Sequence, residues 1–199
     1  MCSGNDHRLK VTGLPKGELR SGFVMRSYPH RDQWDLGLAH STCHDVLCGS
    51  GQTGGRIPMK VRFPDGTVVM ACSLAERRES NPDRDYGLYM DADWQPTWDA
   101  HVIPWADFGV PTDDLSAARA IVSAFKRAKA NERLEIGCAG GLGRTGTVLA
   151  CMAMLAGVPA KDAVGWVRAN YNRDAIERPV QERWIRWFAD RVAAGEVQT

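Results

Sequence analysis

Apolar positions from Asp113 onward recur at helical spacing. Leu115, Ala118, Ile121, Val122, Phe125 and Ala128 mark one face, which predicts an amphipathic helix. Lys126, Arg127 and Lys129 suit its C-terminus. An apolar-rich run from Val148 to Leu155 predicts a second helix. Ala163, Trp166, Val167 and Asn170 mark a third within Ala160 to Tyr171. Val180, Trp184, Trp187, Phe188 and Val192 mark a last one, with its tryptophans facing the core. Strand patterns lie elsewhere. Met59–Phe63 and Thr67–Cys72 flank Pro64-Asp65-Gly66 and read as a hairpin. Its second arm is nearly all apolar, as for a strand buried on both faces. Leu134-Glu135-Ile136 is a further strand, and Leu9 to Val24 suggests short strands broken by Gly and Pro. Ser73 to Arg78 reads as a charged helix or loop. Asn81 to Asp99 is acidic, aromatic and loop-like, and a short apolar run, Val102-Ile103-Pro104, follows it.

The stretch between the Leu134 strand and the Val148 helix carries the chemistry. It reads I-G-C-A-G-G-L-G-R-T-G-T, from Ile136 to Thr147. A Gly-rich turn that feeds a helix N-terminus points successive amides into one concavity, which suits an anion such as phosphate. The same field suits a thiolate, here Cys138. Arg144 adds a planar fork able to hold two phosphate oxygens. The spacing C-x5-R alone carries little weight, because it also occurs at Cys2/Arg8 and Cys72/Arg78. The first lies in a polar N-terminal tail, and the second encloses Ser-Leu-Ala-Glu-Arg, with no glycine and with Glu76 to repel phosphate. Gly141 to Gly146 also fits G-x-G-x-x-G, but no second strand with a terminal acid follows the helix. A Walker A loop would place Cys138 where glycine belongs and Arg144 where lysine belongs.

A second functional stretch is Trp105-Ala106-Asp107-Phe108-Gly109-Val110-Pro111. It sets one carboxylate among bulky apolar residues beside a glycine. Asp107 there reads either as an acid on a closing loop or as an ordinary turn residue; beside Cys138 it is the best acid in the chain. Asp113 and Asp114 suit a helix cap and first turn instead. Cys72 ends a buried strand, at the edge where an open α/β sheet places its ligands. It reads as a buried core cysteine or as a redox partner for Cys138.

Composition narrows the class. The chain has 199 residues, 44% hydrophobic, with a net charge of +1. That balance predicts one domain and gives no basic face for nucleic acid. No apolar run is long enough to span a membrane, and the N-terminus lacks the pattern of an export signal. Six cysteines without paired spacing then read as thiols of a cytoplasmic protein. His40, Cys43, His44 and Cys48 cluster, but their spacing is not that of a zinc site, so no metal is expected. Residues 1–8 read as a disordered tail, and Gly49 to Gly55 as a mobile loop.

C-A-G-G-L-G-R-T-G, preceded by W-x-D and followed by I-x-x-P-x-Q, resembles the cysteine-dependent protein-tyrosine phosphatases, in their compact, dual-specificity-like branch. The resemblance covers roughly residues 65 to 190. It implies an α/β fold, a central, mostly parallel sheet with helices on both faces, within a single domain over 9–199 whose N-terminal elaboration runs to about 64. It implies Cys138 as nucleophile, Arg144 as phosphate ligand, and the amides of Ala139, Gly140, Gly141, Leu142, Gly143 and Arg144 as the cradle. Thr145 would hydrogen-bond the departing thiolate, Asp107 would serve as acid and then base, and Gln181 would position water. The expected activity is metal-independent and cofactor-free hydrolysis of phosphate monoesters, on phosphotyrosine and also phosphoserine or phosphothreonine in proteins. Alternatives are a small-molecule or phosphoinositide phosphatase, and a weakly active phosphate-binding module. One position departs from the family: Gly137 stands where histidine usually precedes the cysteine.

Overall fold

The computed structural model describes residues 58–75 and 84–198. The expectations for the 1–8 tail, the Leu9–Val24 strands, the His40–Cys48 cluster, the Gly49–Gly55 loop and residues 76–78 lie outside the described residues. Five strands are described: β1 (Met59–Arg62), β2 (Val68–Ser73), β3 (Tyr86–Tyr89), β4 (Ala100–Val102) and β5 (Leu134–Cys138). They form one sheet in the order β1-β2-β5-β3-β4. β1 and β2 are the antiparallel hairpin that the sequence predicts, with Gly66 in the left-handed region at its turn. Every other pairing is parallel. β5 therefore lies at the centre, and its C-terminal end delivers Cys138.

Four helices lie among the described residues: α1 (Asp114–Lys129), α2 (Gly143–Leu155), α3 (Ala163–Asn170) and α4 (Pro179–Ala193). Asp113 caps α1 by accepting from the Ser116 amide, which satisfies one of the free donors at a helix start. Three basic residues sit in its last turn, opposite in sign to the helix end. α1 packs on the strands and on α2, while α3 and α4 pack against α2. α2 is accordingly apolar almost all round, and its residues from Gly143 to Ala153 are buried, the pattern of a helix enclosed by others.

Alternation along the strands divides the sheet into two faces. Val69, Ala71, Leu88, Leu134, Ile136 and Cys138 enter the main core with the helices. Cys72, Leu74 and Tyr89 face the other way and are covered by Trp94 and Trp98 from the loop between β3 and β4.

Two expectations need correction. The run Asn81–Asp99 contains strand β3, because Tyr86-Gly87-Leu88-Tyr89 pairs with both β5 and β4. A four-residue strand with a glycine has little local signal; its pairing on both sides holds it. The second correction is the start of α2, which begins at Gly143 rather than Val148. The arginine and threonine of the Gly-rich stretch thus sit in a helical first turn.

Candidate active site

The phosphate-loop candidate runs from the end of β5 into α2. Leu74 N donates to Cys138 O at 2.9 Å, and Ala75 N donates to Ala139 O at 3.0 Å. Ser73 Oγ also donates to Ala139 O, at 2.8 Å. These bonds tie the loop to the end of β2. Gly141 has φ +69°, and a β-carbon there would lie 3.1 Å from Cys72 O and from Ser73 N. Only glycine combines that backbone with that approach. Tyr171 Oη donates to Gly141 O. The loop's carbonyls are therefore bonded outward, away from its centre.

Its amides behave differently. Gly141 N donates to Cys138 O at 3.2 Å. Among the described residues, the amides of Ala139, Gly140, Leu142, Gly143 and Arg144 have no backbone acceptor. A buried amide without a partner is costly, and a row of them at a helix start is a place for an anion.

Cys138 is buried, with 2% of its surface exposed. Thr145 Oγ1, in the first turn of α2, donates to Cys138 Sγ at 3.1 Å. Arg144 is also buried, and its charge is held on both sides. Nη1 donates to Trp105 O at 2.9 Å, and Nη2 pairs with Asp107 Oδ1 at 3.1 Å. Its Nε has no partner among the described residues. The structure thus brings Asp107, from the 105–111 loop, onto the same arginine of α2.

The acid loop is shaped by its own bonds. Trp105 Nε1 donates to Gly109 O at 2.9 Å, and Trp105 bridges to Pro111. Phe108 takes φ 57°, a costly conformation for a bulky residue. It is 45% exposed, and the Arg178 guanidinium lies 4.7 Å from its ring centroid. Asp107 is thus held between a buried arginine and a loop closed by a tryptophan.

Gln181, in the first turn of α4, is fully buried. Its Oε1 accepts from Arg178 N at 3.2 Å, and its Nε2 has no partner among the described residues. A β-carbon on Gly143 would lie 2.9 Å from that Nε2, so Gln181 borders the phosphate loop. Cys72 of β2 is the register partner of Gly137 in β5. A β-carbon on Gly137 would lie 2.7 Å from Cys72 Sγ; the sulfur occupies the space a side chain there would need. Cys138 and Cys151 are free thiols. Complete burial pushes the Cys151 thiol up, which keeps it protonated and inert.

Among the described residues, Thr145 thus touches Cys138, Asp107 touches Arg144, Gln181 borders Gly143 and Cys72 adjoins Gly137. Sequence reasoning missed Ser73 and Tyr171, which hold the loop's carbonyls, and Glu177, which lies beside Gly143. Isolated polar residues at the ends of elements and in loops leave no periodic signal.

Residues 84–170 match the protein-tyrosine phosphatase family. Two uncharacterized proteins of Methanocaldococcus jannaschii are 38% and 39% identical over 85 residues, 42% of this chain. Those stretches are 50% and 54% of the relatives, so the chain spans about half the length of the curated relatives it matches. Among solved structures, kinase associated phosphatase with its catalytic cysteine changed to serine is 17% identical, with a TM-score of 0.57 over 69% of this chain and 97% of that one. A mutant form of Tk-PTP is 21% identical, with a TM-score of 0.54 over 67% and 97%. PTPMT1 in complex with PI(5)P is 14% identical, with a TM-score of 0.51 over 69% and 99%. These likenesses show the fold. The family match covers the central segment that holds Asp107, Cys138 and Arg144, and there the chain is similar to the protein-tyrosine phosphatases.

Proposed function

We propose that the protein is a metal-independent phosphatase that hydrolyses phosphate monoesters through a cysteinyl-phosphate intermediate, with phosphotyrosine in proteins as its substrate. The observation that carries this reading is the thiol of Cys138, bonded by Thr145 Oγ1 at 3.1 Å and followed in the chain by amides that have no backbone acceptor among the described residues. Phosphate monoesters hydrolyse very slowly unaided, so a catalyst gains by splitting the reaction and by stabilising charge. The thiolate of Cys138 attacks phosphorus in line, and the bond to the leaving oxygen breaks as Asp107 gives that oxygen a proton. Water then forms the new P–O bond, the S–P bond breaks, and the electron pair returns to sulfur. Asp107 takes the water's proton, and Thr145 donates to the departing thiolate. The amides from Ala139 to Arg144 and the Arg144 guanidinium hold the phosphoryl oxygens throughout, so no step calls for a metal or cofactor.

A phosphate oxygen entering the cradle competes with Asp107 for Arg144 Nη2. That exchange frees the carboxyl to act on the leaving group. The loop positions Ala139, Gly140, Gly141, Leu142 and Gly143 include no lysine or histidine to grip additional phosphates, which favours a protein substrate over a phosphoinositide. Phosphoserine and phosphothreonine are secondary substrates in this reading. We keep Cys72 as the redox partner of Cys138, on the ground that its sulfur adjoins Gly137, and we treat residues 9–199 as one cytoplasmic catalytic domain. Among the described residues, no helix is long and apolar enough to cross a membrane.

The test is hydrolysis of para-nitrophenyl phosphate with EDTA present, by wild type and Cys138→Ser. The expected result is turnover in the wild type and a loss of about a thousandfold or more in the variant. Equal rates in the two would overturn the nucleophile. Phosphopeptides and phosphoinositides offered to the active enzyme then rank the two substrate classes.

A further inference from the structure

We infer that Glu177 is a second carboxylate of this site, and that with Gln181 it fixes the water that attacks the cysteinyl-phosphate. The inference rests on the phosphatase reading above and adds a residue to its second half-reaction. A β-carbon on Gly143 would collide with Glu177 Oε2 and stand 2.9 Å from Gln181 Nε2. The carboxylate and the amide therefore flank one point at the first residue of α2, beside the phosphate loop. Glu177 has no hydrogen bond or ion pair among the described residues, and Gln181 Nε2 is buried without an acceptor.

The amide's direction is set. Gln181 Oε1 is occupied by the Arg178 amide at 3.2 Å, which leaves Nε2 as a donor towards Gly143. The backbone that carries Glu177 is also fixed. Arg168 Nε donates to Ala175 O at 3.2 Å and its Nη2 to Ile176 O at 3.0 Å. Ile176 N donates to Leu142 O at 3.4 Å, directly onto the phosphate loop, and Pro179 starts α4 two residues later. Glu177 is exposed, but its position is not that of a free surface acid.

A fixed negative charge beside a phosphate cradle opposes binding of the dianion. Its use lies after the leaving group has gone. A water at this point accepts from Gln181 Nε2 and donates one O–H to Glu177, which turns an oxygen lone pair to phosphorus. Its other proton passes to Asp107 as the P–O bond forms and the S–P bond breaks. Glu177 keeps its charge and takes no proton.

The experiment is rapid-quench kinetics with para-nitrophenyl phosphate, together with mass spectrometry of the acid-quenched protein, on wild type, Glu177→Ala and Glu177→Gln. For Glu177→Ala the expected result is a nitrophenol burst within about twofold of the wild-type first step. Steady turnover falls about ten- to a hundredfold, and phosphoenzyme accumulates on Cys138. Glu177→Gln falls between the two, because its amide oxygen still accepts from water without the charge. Burst and steady rate lowered together, or neither lowered, would overturn the assignment to the second step, and so would faster turnover from relieved repulsion. A wild type that neither turns over nor labels overturns the phosphatase reading, and this inference with it. A wild type that does both, beside a Glu177→Ala with unchanged partition, overturns Glu177 alone.

Discussion

Gly137 immediately precedes Cys138, and its missing side chain is a packing requirement. A β-carbon there would lie 2.7 Å from Cys72 Sγ, 3.2 Å from Cys72 O and 3.3 Å from Leu74 Cδ2. The first contact is with a side-chain atom that a substitution can remove; the second is with backbone that cannot retreat. Gly137→Ala is therefore expected to lose about 1–3 kcal/mol of stability by overpacking. In the double variant with Cys72→Ala, part of that loss returns, because the nearest atom has gone. Urea unfolding of the four proteins of the cycle measures the coupling, expected at about 0.5 kcal/mol or more. Strictly additive losses would show that the sulfur and the new methyl do not compete for the same space. The departure from the family's histidine was legible in sequence, but its cause was not. Cys72 and Gly137 are 65 positions apart in the chain and meet only through the β2–β5 register.

At the scale of elements, the helices were legible because each buries one face at a 3.6-residue period. The start of α2 was not, since Gly143, Gly146 and two threonines weaken any local preference for helix. Tertiary contacts decide it. Thr147 Oγ1 donates to Gly143 O at 2.8 Å, and a β-carbon on Gly146 would press within 2.9 Å of Ala175 Cβ, so the glycine allows the loop to pack closely on the helix. Strand β3 was hidden for a related reason, as its pairing partners lie far along the chain. One clip at its entrance can be tested. Arg133 Nε and Nη2 donate to Asp85 at 3.0 and 2.8 Å, joining the residues before β5 and β3. The Arg133 hydrogen bond holds the Asp85 carboxyl below its ordinary value of 3.8. A depressed folded-state pKa contributes stability above the unfolded value, and that contribution is lost as pH falls through the folded one. Asp85→Asn should therefore cost about 0.5 kcal/mol at neutral pH, small because the pair is partly exposed and solvent-screened. The difference from wild type should shrink as the pH drops below 3.8. Urea midpoints across that range check it, and a gap independent of pH would remove the ion pair as its cause.

The whole sheet is an asymmetric layer, and its second face holds the largest departure from simple patterning. A glutamate between Leu134 and Ile136 is the ordinary mark of a strand with one face in water. Glu135 is instead fully buried. Tyr89 Oη donates to its Oε1 at 2.6 Å, and Trp98 Nε1 donates to Tyr89 Oη at 3.1 Å. Arg84 Nη1 lies 3.8 Å from Glu135 Oε2, with its guanidinium 3.7 Å from the Trp98 ring centroid. This network closes the face opposite the helices, beneath a loop that sequence could describe only as acidic and aromatic. Desolvation makes such a pair expensive to leave half-made. Glu135→Ala should therefore lose about 3–5 kcal/mol, since Arg84 keeps its charge with less to offset it. The double variant Arg84→Met with Glu135→Leu, which removes both charges and fills the space, should recover most of that loss. Urea unfolding separates the two cases. Because Glu135 and Cys138 face opposite sides of β5, turnover per folded molecule should be unchanged in the double variant. Recovery of stability with a lost rate would mean instead that the network positions the phosphate loop, and that the two faces of the sheet are coupled through β5.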